Sequence, residues 1–129
     1  MKGLFAAVLL CLNSAATAQD AGQVTAADGS VLRALDTITG KLVDIEFANG
    51  ETKKFERLEI TVTECRYPVE NPASDAFAYI SIRDMTKGEV KFEGWMTAAS
   101  PALLAMDHPR YDVWVLRCKI PEAVTSDEG

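Results

Sequence analysis

Residue types that could perform catalysis are sparse in this chain, and one short stretch holds the best combination of them. Ser100, His108 and Asp112 supply the nucleophile, base and acid of a hydrolase triad, and His108 is the only histidine. However, the G-x-S-x-G elbow that presents such a serine is absent, and Ser100 before Pro101 is typical of a helix start. We therefore predict no catalytic residue, no enzymatic activity, and a His108 that fixes a turn by hydrogen bonding.

Metal ions, cofactors and nucleic acids are also poor matches for this composition. With one imidazole, a zinc site would have to depend on carboxylates, so we expect no metal and no cofactor. The chain has 13 Lys and Arg against 19 Asp and Glu, a net charge of −6, whereas phosphate backbones are bound by concentrated basic surfaces. The only basic cluster along the sequence is Lys53, Lys54 and Arg57, and glutamates interrupt it.

The N-terminus has the pattern of an export signal. Lys2 precedes an apolar run over residues 3–12, and residues 16–18 are Ala-Thr-Ala, the small residues that signal peptidase requires. We predict cleavage after Ala18 and a periplasmic protein that begins at Gln19. The apolar run is about half of the roughly 20 residues that a membrane-spanning helix needs, so we expect contact with a membrane only through a partner.

Cysteine usage agrees with export. Cleavage removes Cys11 and leaves Cys65 and Cys118, which are expected to form a structural disulfide in an oxidising compartment. No C-x-x-C arrangement suggests a redox-active pair. The alternative of a lipid-modified Cys11 is disfavoured because large apolar residues, 8–10, precede it where small ones are needed.

Alternating apolar and polar residues predict an all-β fold. We expect a small single-domain sandwich or barrel of about seven short antiparallel strands with one short helical insertion and one disulfide. Asn49-Gly50 is the strongest hairpin signal, and residues 86–88 predict a second hairpin. The predicted strands are residues 31–36, 42–47, 52–55, 58–65, 77–83, 89–95 and 111–118.

The remaining segments are assigned by their composition. Residues 19–30 and 121–129 read as a flexible lead and a disordered acidic tail around a single β domain, 31–120. Ser100-Pro101 and the apolar residues after it predict one or two helical turns, which end before Pro109 because the residue preceding a proline avoids helical geometry.

Aromatic residues concentrate on both sides of the predicted helical insertion. They could pack the insertion onto the sheet, or they could form a contact surface, because tryptophan and tyrosine are frequent binding anchors. We select them as the candidate interaction surface, which consists of Trp95, Met96, His108, Tyr111 and Trp114.

Several motifs give the chain a family resemblance over roughly residues 31–118. They are Cys-Arg-Tyr-Pro at 65–68, Asn-Pro at 71–72, Ala-Phe-Ala-Tyr at 76–79, Gly-Trp-Met at 94–96, Ser-Pro-Ala-Leu at 100–103 and Asp-His-Pro-Arg-Tyr-Asp-Val-Trp-Val-Leu at 107–116. In these residues the chain resembles domain-of-unknown-function family 2155, small exported proteins of alphaproteobacteria. The resemblance establishes no activity. It implies a context, because genes of this family often neighbour that of a small accessory subunit of respiratory complex I.

Two hypotheses of function follow. The first is a non-catalytic periplasmic interaction domain, an accessory subunit or assembly factor on the periplasmic face of respiratory complex I. The second is a periplasmic module that binds a small ligand, a peptide or an envelope polymer in a pocket formed by Trp95, His108, Tyr111 and Trp114.

Overall fold

The computed structural model describes Gly3 and residues 22–121, and this part of the chain forms a two-sheet β sandwich. Its eight strands are β1 Val24–Ala26, β2 Gly29–Asp36, β3 Leu42–Ala48, β4 Glu51–Phe55, β5 Leu58–Pro68, β6 Phe77–Asp84, β7 Glu89–Thr97 and β8 Tyr111–Lys119. The all-β prediction is confirmed. Of the segments predicted to be a signal peptide and an acidic tail, all but Gly3 and Pro121 lie outside the described residues.

Every strand pairing is antiparallel, and the strands divide into two sheets. The first sheet has the order β1-β5-β6-β7, with β4 also paired to β5, and the second has the order β3-β2-β8. The long β5 carries both short strands on one edge: β4 pairs with its beginning and β1 with its end. Within this described part, no helix is long and apolar enough to cross a membrane.

The core lies between the sheets and follows the predicted alternation. Leu58, Ile60 and Val62 on β5 are fully buried, and so are the facing residues Ile80 and Ile82 on β6. The second sheet contributes its own inward-facing positions from three strands, among them Leu32, Ala34, Phe47, Val113 and Val115. Both inner faces therefore belong to one hydrophobic core, as period-two patterning requires.

The predicted disulfide is confirmed. Cys65 lies on β5 of the first sheet and Cys118 on β8 of the second, with their Cα atoms 5.7 Å apart. The bond therefore connects the two sheets directly and closes a loop over a sequence separation of 53 residues.

The hairpin predicted at Asn49-Gly50 is wrong as a strand pairing, although the turn itself is present. Gly50 has a φ of 80°, as such a turn requires. However, β3 pairs with β2 and β4 pairs with β5, so the turn carries the chain from one sheet to the other. The Gly50 N–H donates to the carbonyl of Val62 on β5 at 2.7 Å, which fixes this transfer. The second predicted hairpin, between β6 and β7, is confirmed.

The predicted helical insertion is also wrong. Residues 101–104 form turns only, and the described residues contain no helix. A single hydrogen bond from the Leu103 N–H to the Ser100 carbonyl, 3.0 Å long, closes one turn. Few residues separate Pro101 from Pro109, which leaves too little chain to overcome the cost of helix nucleation.

The flexible lead predicted for residues 19–30 requires a correction over its second half. β1 pairs with the end of β5, and β2 begins at Gly29. Ala27 and Ser30 are buried, with exposed fractions of 4% and 0%. The small polar residues of this stretch gain order from long-range pairing with β5 and β8, which their composition does not show.

The disulfide gives the first testable prediction. Replacing both cysteines, Cys65→Ala with Cys118→Ala, should lower the free energy of unfolding by about 4 kcal/mol, because the bond restricts a long loop in the unfolded chain. Urea denaturation of both proteins, with and without reductant, measures this difference. Reductant should destabilise the native protein and leave the double variant unchanged; equal midpoints for the two oxidised proteins would contradict the prediction.

Candidate functional site

His108 lies in the connection between β7 and β8, and both of its ring nitrogens are engaged. Nδ1 accepts hydrogen bonds from the backbone N–H groups of Arg110 at 3.0 Å and Tyr111 at 3.2 Å. Nε2 lies 2.9 Å from Oδ2 of Asp84, at the end of β6. Because Nδ1 serves as an acceptor, the neutral ring carries its proton on Nε2 and donates it to Asp84. His108 therefore fixes the turn, as predicted.

This geometry leaves the candidate triad unassembled. His108 is paired with Asp84 rather than with Asp112, which is exposed on β8. Neither ring nitrogen is available to take a proton from Ser100, because the backbone and Asp84 occupy both. The three residues are close in sequence but do not form the nucleophile, base and acid of a hydrolase.

A second buried carboxylate holds the same segment from the opposite sheet. Asp36, at the end of β2, is 1% exposed and accepts two hydrogen bonds from the Arg110 guanidinium, at 3.0 and 2.8 Å. The backbone N–H of Ile38 adds a third, at 3.0 Å. The Arg110 carbonyl in turn accepts bonds from the backbone N–H and the hydroxyl of Thr37. Arg110 is thus fixed at both its side chain and its backbone.

Both carboxylates are stabilised in their charged form. The hydrogen bond from His108, with the backbone N–H of Thr86, lowers the pKa of Asp84 to about 2. The Arg110 guanidinium, against the opposing effect of burial, holds the pKa of Asp36 far below its usual range. Hydrogen bonds to the ionised form are the main cause at both positions.

Sequence reasoning missed Asp36 and Asp84, although a signal for both was present. On β6 the inward-facing residues are Ala78, Ile80 and Ile82, and the next position in that alternation is Asp84. On β2 the alternation likewise reaches Asp36 as its last inward-facing residue. A carboxylate that continues the apolar face of a strand must be buried, and a buried carboxylate needs a partner.

Trp95 lies on the outer face of the first sheet. Its neighbour across the strands is Tyr79, and the two rings meet edge to face with centroids 5.4 Å apart. Trp95 is 36% exposed. It therefore contributes to a half-exposed aromatic face of β6 and β7.

Trp114 lies on the outer face of the second sheet, beside an exposed loop. Residues 100–106 are here called the apolar loop. Four of them, Pro101, Ala102, Ala105 and Met106, line a groove of about 320 Å³ whose other wall is Asp112, Val113 and Trp114 of β8. Within the loop, Leu103 is 72% exposed and Leu104 is 49% exposed. The loop thus carries two exposed leucines and also lines an apolar groove beside Trp114.

The five residues of the predicted interaction surface do not form one surface. Met96 and Tyr111 are each 2% exposed and belong to the core, and the His108 side chain is 6% exposed. Trp95 and Trp114 occupy the outer faces of different sheets. These residues are close together in the sequence, but the alternation of side chains along each strand directs some into the core and others to the outer faces. The pocket proposed from Trp95, His108, Tyr111 and Trp114 is therefore not assembled.

The apolar loop is held at both ends while its leucines project outward. Asp75 Oδ1 accepts a hydrogen bond from the Ala99 N–H at 2.9 Å, and Met106 is buried with 6% exposure at the other end. The Thr97 hydroxyl donates to the Ser100 carbonyl at 3.1 Å. The exposure of Leu103 and Leu104 thus belongs to an anchored loop. Over residues 22–121, no cluster of three or more His, Cys, Asp or Glu side chains is arranged to hold a metal ion.

The fold and this site define a disulfide-linked β sandwich with an anchored apolar loop, and the comparisons place it in a family. The chain belongs to DUF2155, described as an uncharacterized protein conserved in bacteria, whose model matches residues 30–118. It is 27% identical over 88 residues to the uncharacterized protein RP359 of Rickettsia prowazekii (strain Madrid E), a match that covers 66% of this chain and 57% of that relative. The chain thus spans little more than half of that relative's length. No solved structure matches.

The buried carboxylates predict how stability depends on pH. A carboxylate whose pKa is lowered on folding contributes stability above its unfolded value, 3.8 for aspartate, and this contribution disappears as the pH falls toward the folded value of about 2 for Asp84. Asp84→Asn should therefore destabilise the protein near neutral pH and flatten the loss of stability between about pH 5 and about pH 2. Thermal unfolding over this range measures both effects.

A matched control separates this effect from a general change of charge. Asp112→Asn removes a carboxylate that is exposed on β8 and has no hydrogen-bond partner within residues 22–121. It should leave the pH profile unchanged. Some loss of stability at acid pH should remain in Asp84→Asn, because Arg110 also lowers the pKa of Asp36 in the folded protein. A profile for Asp84→Asn as steep as that of the native protein would refute the assignment.

Proposed function

We propose that this chain is an exported, non-catalytic interaction domain that docks a protein partner on the apolar loop and the adjoining face of Trp114. One observation carries the proposal: Leu103 and Leu104 are exposed at the tip of a loop whose ends are fixed by hydrogen bonds and by the buried Met106. An anchored apolar loop pays little ordering cost when it binds, which favours a specific contact.

Burial of the exposed apolar side chains at this surface would contribute favourably to binding. Burying one leucine side chain contributes about 1.5 to 3 kcal/mol, and the loop that carries the two leucines also borders a groove lined by Trp114. Exposed apolar residues that adjoin one another indicate an interaction site more strongly than isolated ones do. The aromatic ring of Trp114 supplies the rigid area typical of a binding anchor.

The partner we propose is a periplasmic surface of membrane respiratory complex I, which makes the protein an accessory subunit or an assembly factor. The family resemblance and its gene context motivate this choice. The export signal at residues 1–18 and the disulfide agree with it, because a disulfide persists in the periplasm and is rare in the cytosol. Cleavage after Ala18 is part of the proposal, and the mass of the protein recovered from the native host tests it.

A capture experiment tests the partner and the surface together. The tagged native protein, added to membranes of the native host solubilised in mild detergent, should recover complex I subunits in near-equal amounts. Leu103→Asp should weaken this binding by about 2 kcal/mol, or roughly 30-fold, because a charge replaces an exposed apolar side chain that the complex would bury. Mass spectrometry identifies the recovered proteins, and titration of the purified complex gives the affinity.

Ile38→Asp is the matched control. Ile38 is 72% exposed, the same fraction as Leu103, but it lies in the turn between β2 and β3 and away from the groove. It should leave capture unchanged. Equal loss in both variants would mean that the apolar loop is not the docking surface, and recovery of no complex I subunit by the native protein would refute the proposed partner.

The apolar groove also favours a second candidate, a periplasmic module that binds a small apolar ligand. Its volume of about 320 Å³ lies at the lower end of the range typical of ligand pockets. Native mass spectrometry of the protein purified from its host distinguishes the two functions. A retained small molecule that Trp114→Ala abolishes would favour the ligand module, and a bare protein that captures complex I would favour the docking domain.

A further inference from the structure

A basic pocket lies at the end of the sandwich where three connections meet. It has a volume of about 190 Å³ and contains Arg57 from the turn between β4 and β5, Lys87 from the turn between β6 and β7, Lys91 from β7, and Arg110. Among its lining residues within the described chain, Asp84 is the single carboxylate. Four cationic side chains thus converge on one small cavity.

This concentration contrasts with the charge of the whole chain. Acidic residues outnumber basic ones by 19 to 13 in the sequence, yet this pocket is lined by four Lys or Arg residues and one carboxylate. Lys91 and Arg110 are each paired with a carboxylate outside the lining, Glu89 and Asp36, so the cations left without a salt bridge among the described residues are Arg57 and Lys87. The arrangement therefore favours an anionic occupant.

Two of the four cations form no salt bridge within the described residues, although Glu89 interacts electrostatically with Lys87. Within residues 22–121, neither Arg57 nor Lys87 forms a salt bridge. Lys91 shares its ammonium with Glu89 at 2.9 Å. Arg110 uses Nε and one terminal nitrogen to bind Asp36, which fixes the guanidinium in place and leaves its remaining N–H donors for another acceptor.

The single lining carboxylate is already satisfied by its own neighbours. Oδ2 of Asp84 accepts from His108 at 2.9 Å, and Oδ1 accepts from the Thr86 N–H at 2.9 Å. Its side chain is 11% exposed. Asp84 thus connects the His108 segment to the β6–β7 turn at the wall of the pocket. Its single negative charge is smaller than the total positive charge of the four cations in the lining.

The turns that carry these cations are connected by backbone hydrogen bonds. The Met85 N–H donates to the Arg57 carbonyl at 2.8 Å, which links the β4–β5 turn to the start of the β6–β7 turn. The Gly88 N–H donates to the Asp84 carbonyl at 2.8 Å and closes the second turn around Lys87. The pocket is therefore built on fixed backbone.

We propose that this pocket binds a phosphoryl group, either of a free phosphate compound or of a phospholipid headgroup. A phosphoryl group carries several acceptor oxygens and can bond cations that approach from different directions, whereas a carboxylate offers only two oxygens. The cavity is several times larger than the volume of about 30 Å³ that a water molecule occupies, so the group fits with a small substituent. The lining residues are separate from those of the apolar groove, so the site is independent of the docking proposal.

Two binding assays on the disulfide-bonded protein test the proposal and distinguish the sources. Isothermal titration with inorganic phosphate and with glycerol 3-phosphate, at constant ionic strength, measures binding of soluble compounds. Cosedimentation with phosphatidylcholine vesicles, with and without phosphatidylglycerol, measures binding to a headgroup. Lys87→Ala and Arg57→Ala should each weaken the observed binding roughly tenfold, because each removes a charge-assisted hydrogen bond.

Arg117→Ala is the matched control, because it removes one cation at the opposite end of β8. Binding of a soluble phosphate that depends on Lys87 and Arg57 but not on Arg117 supports a free ligand. Binding confined to phosphatidylglycerol vesicles, with the same dependence, supports a headgroup. Equal loss in all three variants, or no binding in either assay, overturns the proposal.

Discussion

Two buried carboxylates, one at the end of a strand in each sheet, hold residues 108–110 between the sheets. Asp84 of the first sheet binds His108, and Asp36 of the second binds Arg110. Either carboxylate without its partner would be a buried, uncompensated charge, so the pairs are costly to break even if they contribute little net stability. Their hydrogen bonds fix the conformation of the connection from β7 to β8. That connection borders both candidate sites.

The disulfide acts at the other end of β8 and completes this arrangement. Tyr111 begins β8 next to the His108 turn, and Cys118 near its end is bonded to Cys65 of the opposite sheet. The strand is thus tied to the first sheet near both ends, while its hydrogen bonds pair it with β2. A small domain with a limited core benefits from such connections, because each one restricts the unfolded chain or specifies the packing of the sheets.

Local sequence predicted the strands well and their connections less well, for a physical reason. Alternation fixes which face of a strand is buried, so the inward-facing residues of β5 and β6 could be assigned correctly. The Asn49-Gly50 turn specifies a reversal of the chain but not the sheet that the next strand joins. Instead of pairing with each other across this turn, β3 pairs with the preceding strand β2 and β4 pairs with the following strand β5. β1, in contrast, depends on a partner that is distant in sequence, because its three residues pair with the end of β5.

Aromatic residues that are close in the sequence do not form one exposed surface here, and the carboxylates that organise the site are buried at strand ends. Tyr111 and Met96 are large and apolar, and strand alternation directs both inward. Leu103 and Leu104 belong to a segment whose sequence predicts one or two helical turns, yet the turn that forms instead leaves them in solvent. Because that turn is anchored next to a segment that both sheets hold, the leucines and the basic pocket have fixed positions on one framework. The loop proposed for docking and the pocket proposed for a phosphoryl group are therefore both attached to the connection from β7 to β8.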